Sequence, residues 1–126
     1  MAQRIRTLKP SFWSSHDVNS MTWEERGFTI GLMSFADDDG RFIASQSAIC
    51  GYLDPFGNSI PPAKYRRWMA DAEQSTMIHT YTVAGLTYGV FPAWHDHQKI
   101  NRYTPSTLPA PDIECAQRNG IKGEDE

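Results

Sequence analysis

Two neighbouring runs of β-branched and aromatic residues constrain the fold of this sequence more than any other feature. Residues 77–83 and 86–91 each have the length and composition of one strand. Ala84-Gly85 lies between them, and Gly85 can adopt the left-handed conformation that a tight hairpin requires. Pro92 ends the second run, because proline cannot donate to a strand ladder. The sequence therefore predicts one β-hairpin.

Helical patterns precede the hairpin. Thr22 and Glu25 have the spacing of a capping box, and the apolar residues behind them recur every three or four positions, which predicts a helix from Trp23 to Ala36. Ser45 is a potential N-cap for a second helix, and the prolines at 61 and 62 suit the first turn of a third. The predicted order is helix (23–36), short strand (41–44), helix (after Ser45), helix (62–74) and hairpin (77–91).

This order of elements is that of a winged helix, an α+β fold with a three-helix core and a C-terminal β-hairpin wing. Periodicity alone leaves other small α+β folds open. We expect residues 1–94 to form this domain, including an N-terminal arm over Arg4–Trp13 in which Pro10 favours an extended or turning path. Residues 95–126 are expected to be an extended C-terminal tail that ends in an acidic segment.

The charge is unevenly distributed along the chain. Residues 112–126 contain five acidic and two basic residues, which accounts for the net charge of −3, whereas residues 1–109 hold ten acids and ten bases. A neutral body counts against strong non-specific DNA binding, which depends on neutralising phosphates with Lys and Arg. A local basic face remains compatible with this balance.

The sequence predicts a cytoplasmic protein without a membrane partner. No apolar run approaches the ~20 residues of a membrane span, and the charged N-terminus, residues 1–6, is not followed by the apolar segment of a signal peptide. Cys50 and Cys115 lie far apart and outside any CxxC spacing, as expected of two reduced thiols.

No motif indicates an enzyme, a metal site or a cofactor. His95 and His97 could face the same side of an extended segment, but a third zinc ligand at suitable spacing is missing. The turn at residues 37–40 is too short of ligands for a calcium loop, since Gln46 stands where a bidentate acid is needed. The sequence also lacks a Gly-rich phosphate loop, an HExxH pair and a nucleophile elbow.

Short motifs occur in a characteristic order along the chain. They are Arg-Ile-Arg-Thr-Leu-Lys-Pro-Ser-Phe-Trp (4–13), Ala-Asp-Asp-Asp-Gly-Arg-Phe (36–42), Trp-His-Asp-His-Gln-Lys-Ile-Asn (94–101) and Ser-Thr-Leu-Pro (106–109). In these motifs the sequence resembles the N-terminal domain of phage and prophage replication-initiation proteins of the replisome-organiser or helicase-loader type. The resemblance spans about residues 4 to 111.

The resemblance implies a winged-helix (helix-turn-helix) DNA-binding domain that acts in phage DNA replication or its control, inside the bacterial host cell. In this family a second region that contacts the host helicase machinery usually follows. The sequence continues for only about fifteen residues beyond the shared part, so we do not expect that region here.

Double-stranded DNA is the expected partner. The candidates for contact with the major groove are Lys64, Arg66 and Arg67 on the third helix. Lys99 and Arg102 could contact the phosphate backbone of the DNA. The candidates in the N-terminal arm, for a minor groove or phosphates, are Arg4, Arg6 and Lys9. Alternatively, the three bases of the third helix only form its solvated face.

A second hypothesis places the chain in another functional class. It could be a stand-alone phage protein that binds and inhibits a host protein complex, in an anti-CRISPR or other anti-defence role. The short length, the neutral body and the acidic segment favour this alternative, because an acidic tail can imitate nucleic-acid charge. A third possibility is an accessory structural module, dimeric through aromatics such as Phe56, Tyr65 or Trp94.

Overall fold

A computed structural model describes residues 5–111 of the chain. The described part combines helices with a small antiparallel sheet, so the protein belongs to the α+β class. Its elements are α1 (Ser11–Ser14), α2 (His16–Asn19), α3 (Trp23–Phe35), β1 (Arg41–Ile43), α4 (Gln46–Leu53), α5 (Pro62–Gln74), β2 (His79–Val83), β3 (Leu86–Val90) and α6 (Trp94–His97). The predicted order of helix, short strand, two helices and hairpin is confirmed in α3 to β3.

Local sequence signals set the ends of the main helices. The Thr22 hydroxyl accepts from the Glu25 amide, and the Glu25 carboxylate accepts from the Thr22 amide, so the predicted capping box is formed at the start of α3. The Ser45 hydroxyl accepts from the Ala48 amide and caps α4. Pro62 occupies the first position of α5, where the missing N–H has no helical partner to lose.

Short helices occur where the sequence suggested extended chain. Pro10 lies before α1 in helical geometry, and the Ser15 hydroxyl accepts from the Val18 amide to cap α2, so the arm turns twice before α3. The segment after the hairpin forms the single turn α6. Residues two apart on a helix point in different directions. His95 and His97 therefore do not share one side of an extended segment, the arrangement that a shared zinc ligand pair would need.

The sheet has three strands in the order β1-β3-β2, all antiparallel. Both turn residues of the β2–β3 hairpin have positive φ, 53° at Ala84 and 81° at Gly85, the conformation that matches the twist of a two-residue hairpin. Phe42 of β1 lies opposite Gly89 of β3, and a Cβ at Gly89 would collide with the Phe42 ring. This glycine lets the Phe42 side chain lie flat on the core face of the sheet.

The core lies between α3, α4, α5 and the inner face of the sheet. Leu32, Phe42, Ile49 and Ile78 are completely buried at its centre. Around them lie further buried residues, including Phe28, Phe35, Tyr65, Trp68, Ala72, Phe91 and Trp94. Within residues 5–111, no helix is long and apolar enough to cross a lipid bilayer.

The segment after α6 covers the outer face of the sheet. The Arg41 guanidinium donates to the Leu108 carbonyl (3.2 Å), and the Tyr81 hydroxyl donates to the Pro109 carbonyl (2.7 Å). Arg41 and His79 both pair with Val90 in the ladder, so they lie on this same face, and all three are buried. Residues 95–111 of the expected tail therefore pack on the domain, and the packing has no boundary at residue 94.

Candidate nucleic-acid interface

The rotation of α5 is fixed by its aromatic side. Tyr65 and Trp68 lie against Phe28 of α3, with ring centroids 6.1 and 5.4 Å away. Since successive helical residues are rotated by about 100°, the side opposite these rings faces solvent. That side includes Ala63, Arg66, Arg67 and Ala70, which are all exposed. We call these four residues the outer face of α5.

Arg66 and Arg67 are the adjacent cations of the outer face. Arg66 makes no ion pair or hydrogen bond with any residue in the described part of the chain. The Arg67 side chain is 79% exposed, and its Nε lies 4.0 Å from the Asp71 carboxylate, one turn further along α5. Exposed pairs of this kind contribute at most about 1 kcal/mol and exchange readily. Both guanidinium groups are therefore available to a ligand.

Lys64 has a different environment. Its Nζ lies 3.2 Å from the Glu24 carboxylate at the start of α3, and 5.9 Å from the centre of the Trp68 ring. Lys64 was predicted to contact DNA together with the two arginines, but its charge is directed toward α3 and is balanced by Glu24. The pair is exposed, at 47% and 63%, so solvent screens it and a phosphate could replace the carboxylate.

Arg6 of the arm is a structural residue. Its guanidinium donates to the Asp38 carboxylate and to the Ala36 carbonyl, both at 2.9 Å, and lies 5.1 Å from the centre of the Trp94 ring. The Arg6 and Asp38 side chains are only 7% and 3% exposed. This burial corrects the prediction that Arg6 contacts DNA, because the group that would bind a phosphate is enclosed by the protein.

The other cations predicted to contact DNA lie outside α5. The exposed Lys9 ammonium donates to the Asp96 carbonyl (2.8 Å), which uses one of its three hydrogens. Lys99 is exposed, and Arg102 is exposed with a φ of 58°. Arg4 lies outside the described residues. Neither Lys9 nor Lys99 is joined to α5 by a hydrogen bond or ion pair in the described part.

The turn Asp37–Asp39, here called the aspartate turn, joins distant parts of the chain. The Asp38 carboxylate accepts from Arg6 and from the Thr104 amide, both at 2.9 Å, and its carbonyl accepts from the Trp94 indole at 2.9 Å. The Ser106 hydroxyl donates to Asp37. These contacts explain the acids of a segment in which the sequence indicated only a turn.

Asp39 is contacted by three residues of the segment after the hairpin. Its carboxylate accepts from the Tyr103 hydroxyl at 2.7 and 2.8 Å, from the Ser106 amide at 2.8 Å, and lies 3.3 Å from His95 Nε2. Burial raises the pKa of Asp39, but these hydrogen bonds and the Arg41 charge together lower it below its usual value. The turn therefore holds residues 103–106 best when Asp39 is ionised.

The arm is joined to the segment after the hairpin by a paired amide contact. The Thr7 amide donates to Gln98 Oε1, and Gln98 Nε2 donates to the Thr7 carbonyl, both at 2.8 Å. Gly40 allows the close packing of the neighbouring Trp94, since a Cβ at Gly40 would lie 2.6 Å from the Trp94 ring. Periodicity gives no signal for these contacts, whereas the quoted motifs contain all of their residues.

An exposed aromatic cluster lies at the junction of α1 and α3. The Trp13 and Trp23 side chains are 41% and 71% exposed, with ring centroids 5.8 Å apart, and Phe12 lies 5.0 Å from Trp13. The Arg26 guanidinium lies 4.3 Å from the centre of the Trp23 ring. Phe12 also lines a cavity of about 390 Å³ under the arm. We call Phe12, Trp13 and Trp23 the aromatic cluster, for which the sequence spacing gives no signal.

The described residues contain no group of three or more His, Cys, Asp or Glu side chains arranged to hold a metal ion. In particular, Asp37, Asp38 and Asp39 direct their oxygens to protein donors. Comparison with protein-family models, with curated proteins and with solved structures finds no match.

Proposed function

We propose that this chain is a winged-helix DNA-binding protein connected with phage DNA replication or its control. In this proposal α5 is the recognition helix and the β2–β3 hairpin is the wing. The order of elements from α3 to β3 supports the fold, and the sequence motifs support the connection with phage replication. The association with DNA depends on α5.

The outer face of α5 is the observation that carries the proposal. A helix of 13 residues is about 20 Å long and fits a major groove about 12 Å wide. Ala63 and Ala70 leave the helix backbone accessible on either side of Arg66 and Arg67. Each guanidinium could grip a guanine edge with two hydrogen bonds, or a phosphate.

The charge balance sets the expected strength of binding. With Lys64 paired to Glu24 and Arg6 buried, about two to three cations of α5 would meet phosphates, so log Kd should change by about 2–3 per tenfold change in salt. The hairpin adds no Lys or Arg between residues 77 and 91. The proposal therefore predicts moderate affinity with a shallow salt dependence.

Fluorescence anisotropy with a labelled 20-base-pair duplex tests the proposal. We expect R66A/R67A to weaken binding at least tenfold, and R66K/R67K to recover affinity for random sequence because it retains the charge. The comparison variant is K9A/K99A, which removes the same charge from two exposed cations outside α5 that the sequence also predicts to contact DNA. An equal loss in K9A/K99A would show that α5 contributes no more than these positions and would contradict its role as the recognition helix.

The aromatic cluster favours a second candidate function, inhibition of a host protein complex. Trp and Arg are the residues that most often dominate protein interfaces, and Trp23 with Arg26 on its ring provides both. Stoichiometric capture of a host complex should be lost in W13A/W23A. It should persist in F56A, whose side chain is 86% exposed on the loop before α5. Capture that survives W13A/W23A would exclude the cluster as the interface.

A further inference from the structure

We propose that residues 112–126 bind the outer face of α5 in the same molecule and compete with DNA for Arg66 and Arg67. The contact itself follows from charge and chain length. Its regulatory consequence depends on the proposed DNA-binding function. Residues 112–126 lie outside the described part of the chain, which ends at residue 111.

Charge complementarity makes the outer face of α5 a suitable binding surface for the segment. The acids of the segment are Asp112, Glu114, Glu124, Asp125 and Glu126, against Arg118 and Lys122, which gives a net charge of −3. Within the domain, Glu24 balances Lys64, and Asp38 balances Arg6. Arg66 and Arg67 are an adjacent pair of exposed cations, with only Asp71 at 4.0 Å from one of them. The outer face of α5 is thus a favourable target for an acidic peptide.

The starting point of the segment is close to α5 in the fold. The Tyr81 hydroxyl donates to the Pro109 carbonyl at 2.7 Å, so the described part of the chain ends two residues after a contact with β2. The neighbouring Thr80 hydroxyl donates to the Glu73 carboxylate of α5 at 2.7 Å, which joins β2 to the end of that helix. Fifteen residues can extend about 50 Å, whereas a domain of this size is about 35 Å across. The acidic segment can therefore reach the whole of α5.

The contact is intramolecular, so even weak pairing is populated. A short flexible tether gives an effective concentration in the millimolar range. The pairing is between solvated charges, and salt should weaken it because the Debye length falls to about 8 Å at physiological ionic strength. We expect neutralising the segment to raise DNA affinity about three- to tenfold at low salt, with little difference at about 0.5 M.

A spin label tests the contact without DNA. Cys115 lies inside the acidic segment, and Cys50, a half-buried thiol on α4, can be replaced by alanine so that only Cys115 is labelled. We expect a nitroxide on Cys115 to broaden the amide NMR signals of residues 63–70 at low salt. The control variant D112N/E114Q/E124Q/D125N/E126Q should abolish the broadening. Absence of broadening on α5, or equal broadening in the neutral control, overturns the proposal whether or not the chain binds DNA.

DNA affinity then separates the two proposals. Anisotropy with the 20-base-pair duplex should show tighter binding by the neutral-segment variant, and R66A/R67A should remove that gain. If DNA affinity rises in the neutral-segment variant but the amide signals of α5 are not broadened in the wild type, the segment repels DNA from a distance. That result would refute the contact. Broadening without any DNA binding by the neutral-segment variant would leave the contact standing and refute the DNA-binding function.

Discussion

Replacing Arg6 by alanine tests whether the arm is a structural element or a DNA contact. The substitution removes the ion pair with Asp38, the hydrogen bond to the Ala36 carbonyl and the packing on the Trp94 ring. It leaves the Asp38 carboxylate, only 3% exposed, without the opposite charge at 2.9 Å. Removing one partner of a buried ion pair costs about 3–5 kcal/mol, mainly because the remaining charge is desolvated. The domain should therefore lose a large part of its stability.

Urea denaturation followed by tryptophan fluorescence measures this loss. We expect the free energy of unfolding to fall by about 3–5 kcal/mol in R6A, and by less than about 0.5 kcal/mol in K9A, an exposed cation of the same arm. Adding D38N to R6A should recover part of the loss, because no buried charge then lacks a partner. A change below about 1 kcal/mol in R6A, or no recovery in R6A/D38N, would refute the buried ion pair.

Three further substitutions test the turns and the aspartate turn. G40A should lower the free energy of unfolding by about 2 kcal/mol or more, because φ at Gly40 is 75° and a Cβ there would press on the Trp94 ring. An unchanged melting temperature would contradict this packing. A84G should stabilise the hairpin by up to about 1 kcal/mol, since φ is 53°, and a lower melting temperature would contradict the turn conformation. The pKa of Asp39 is lowered by folding, so its stabilising contribution is present above the unfolded pKa of about 4 and is lost as pH falls through the folded value. Urea titrations should therefore show the stability difference between wild type and D39N shrinking from pH 6 to pH 3, and a constant difference would refute the ionised carboxylate.

The main elements could be predicted from the sequence because their signals are local. Both bounds of α5 follow from a proline at its start and the end of its apolar spacing. The capping box of α3 and the serine cap of α4 likewise involve residues three apart. The hairpin follows from one turn dipeptide. Signals of this kind need no knowledge of the rest of the chain.

Contacts between distant residues could not be predicted in the same way. Arg6 and Asp38 are 32 positions apart, and Thr7 and Gln98 are 91 apart. A charged arm residue looks solvated in the sequence, and only the fold reveals the carboxylate that makes its burial possible. The aromatic cluster was missed for a related reason, since Trp13 and Trp23 belong to different helices and their exposure depends on how these pack.

The positions of the motifs separate the evidence for the fold from the evidence for the function. Arg6, Asp38, Gly40, Trp94 and Gln98 all lie within the motifs that carry the resemblance. The first four lie in, next to or against the aspartate turn, and Gln98 joins the arm to the segment after the hairpin by its pairing with Thr7; we call this set of contacts the arm junction. The motifs are thus explained by packing of the arm and of the segment after the hairpin. None of them includes α5.

A DNA-binding role must consequently be decided on α5 itself. A protein could retain the arm junction and lose DNA binding through substitutions on the outer face of α5, because the contacts of the arm junction involve no residue of that face. Variants of Arg66 and Arg67 should accordingly keep the stability of the wild type to within about 0.5 kcal/mol, as expected of exposed positions. Loss of DNA affinity at unchanged stability would assign the function to α5. Joint loss of stability and affinity would instead place these arginines in the fold.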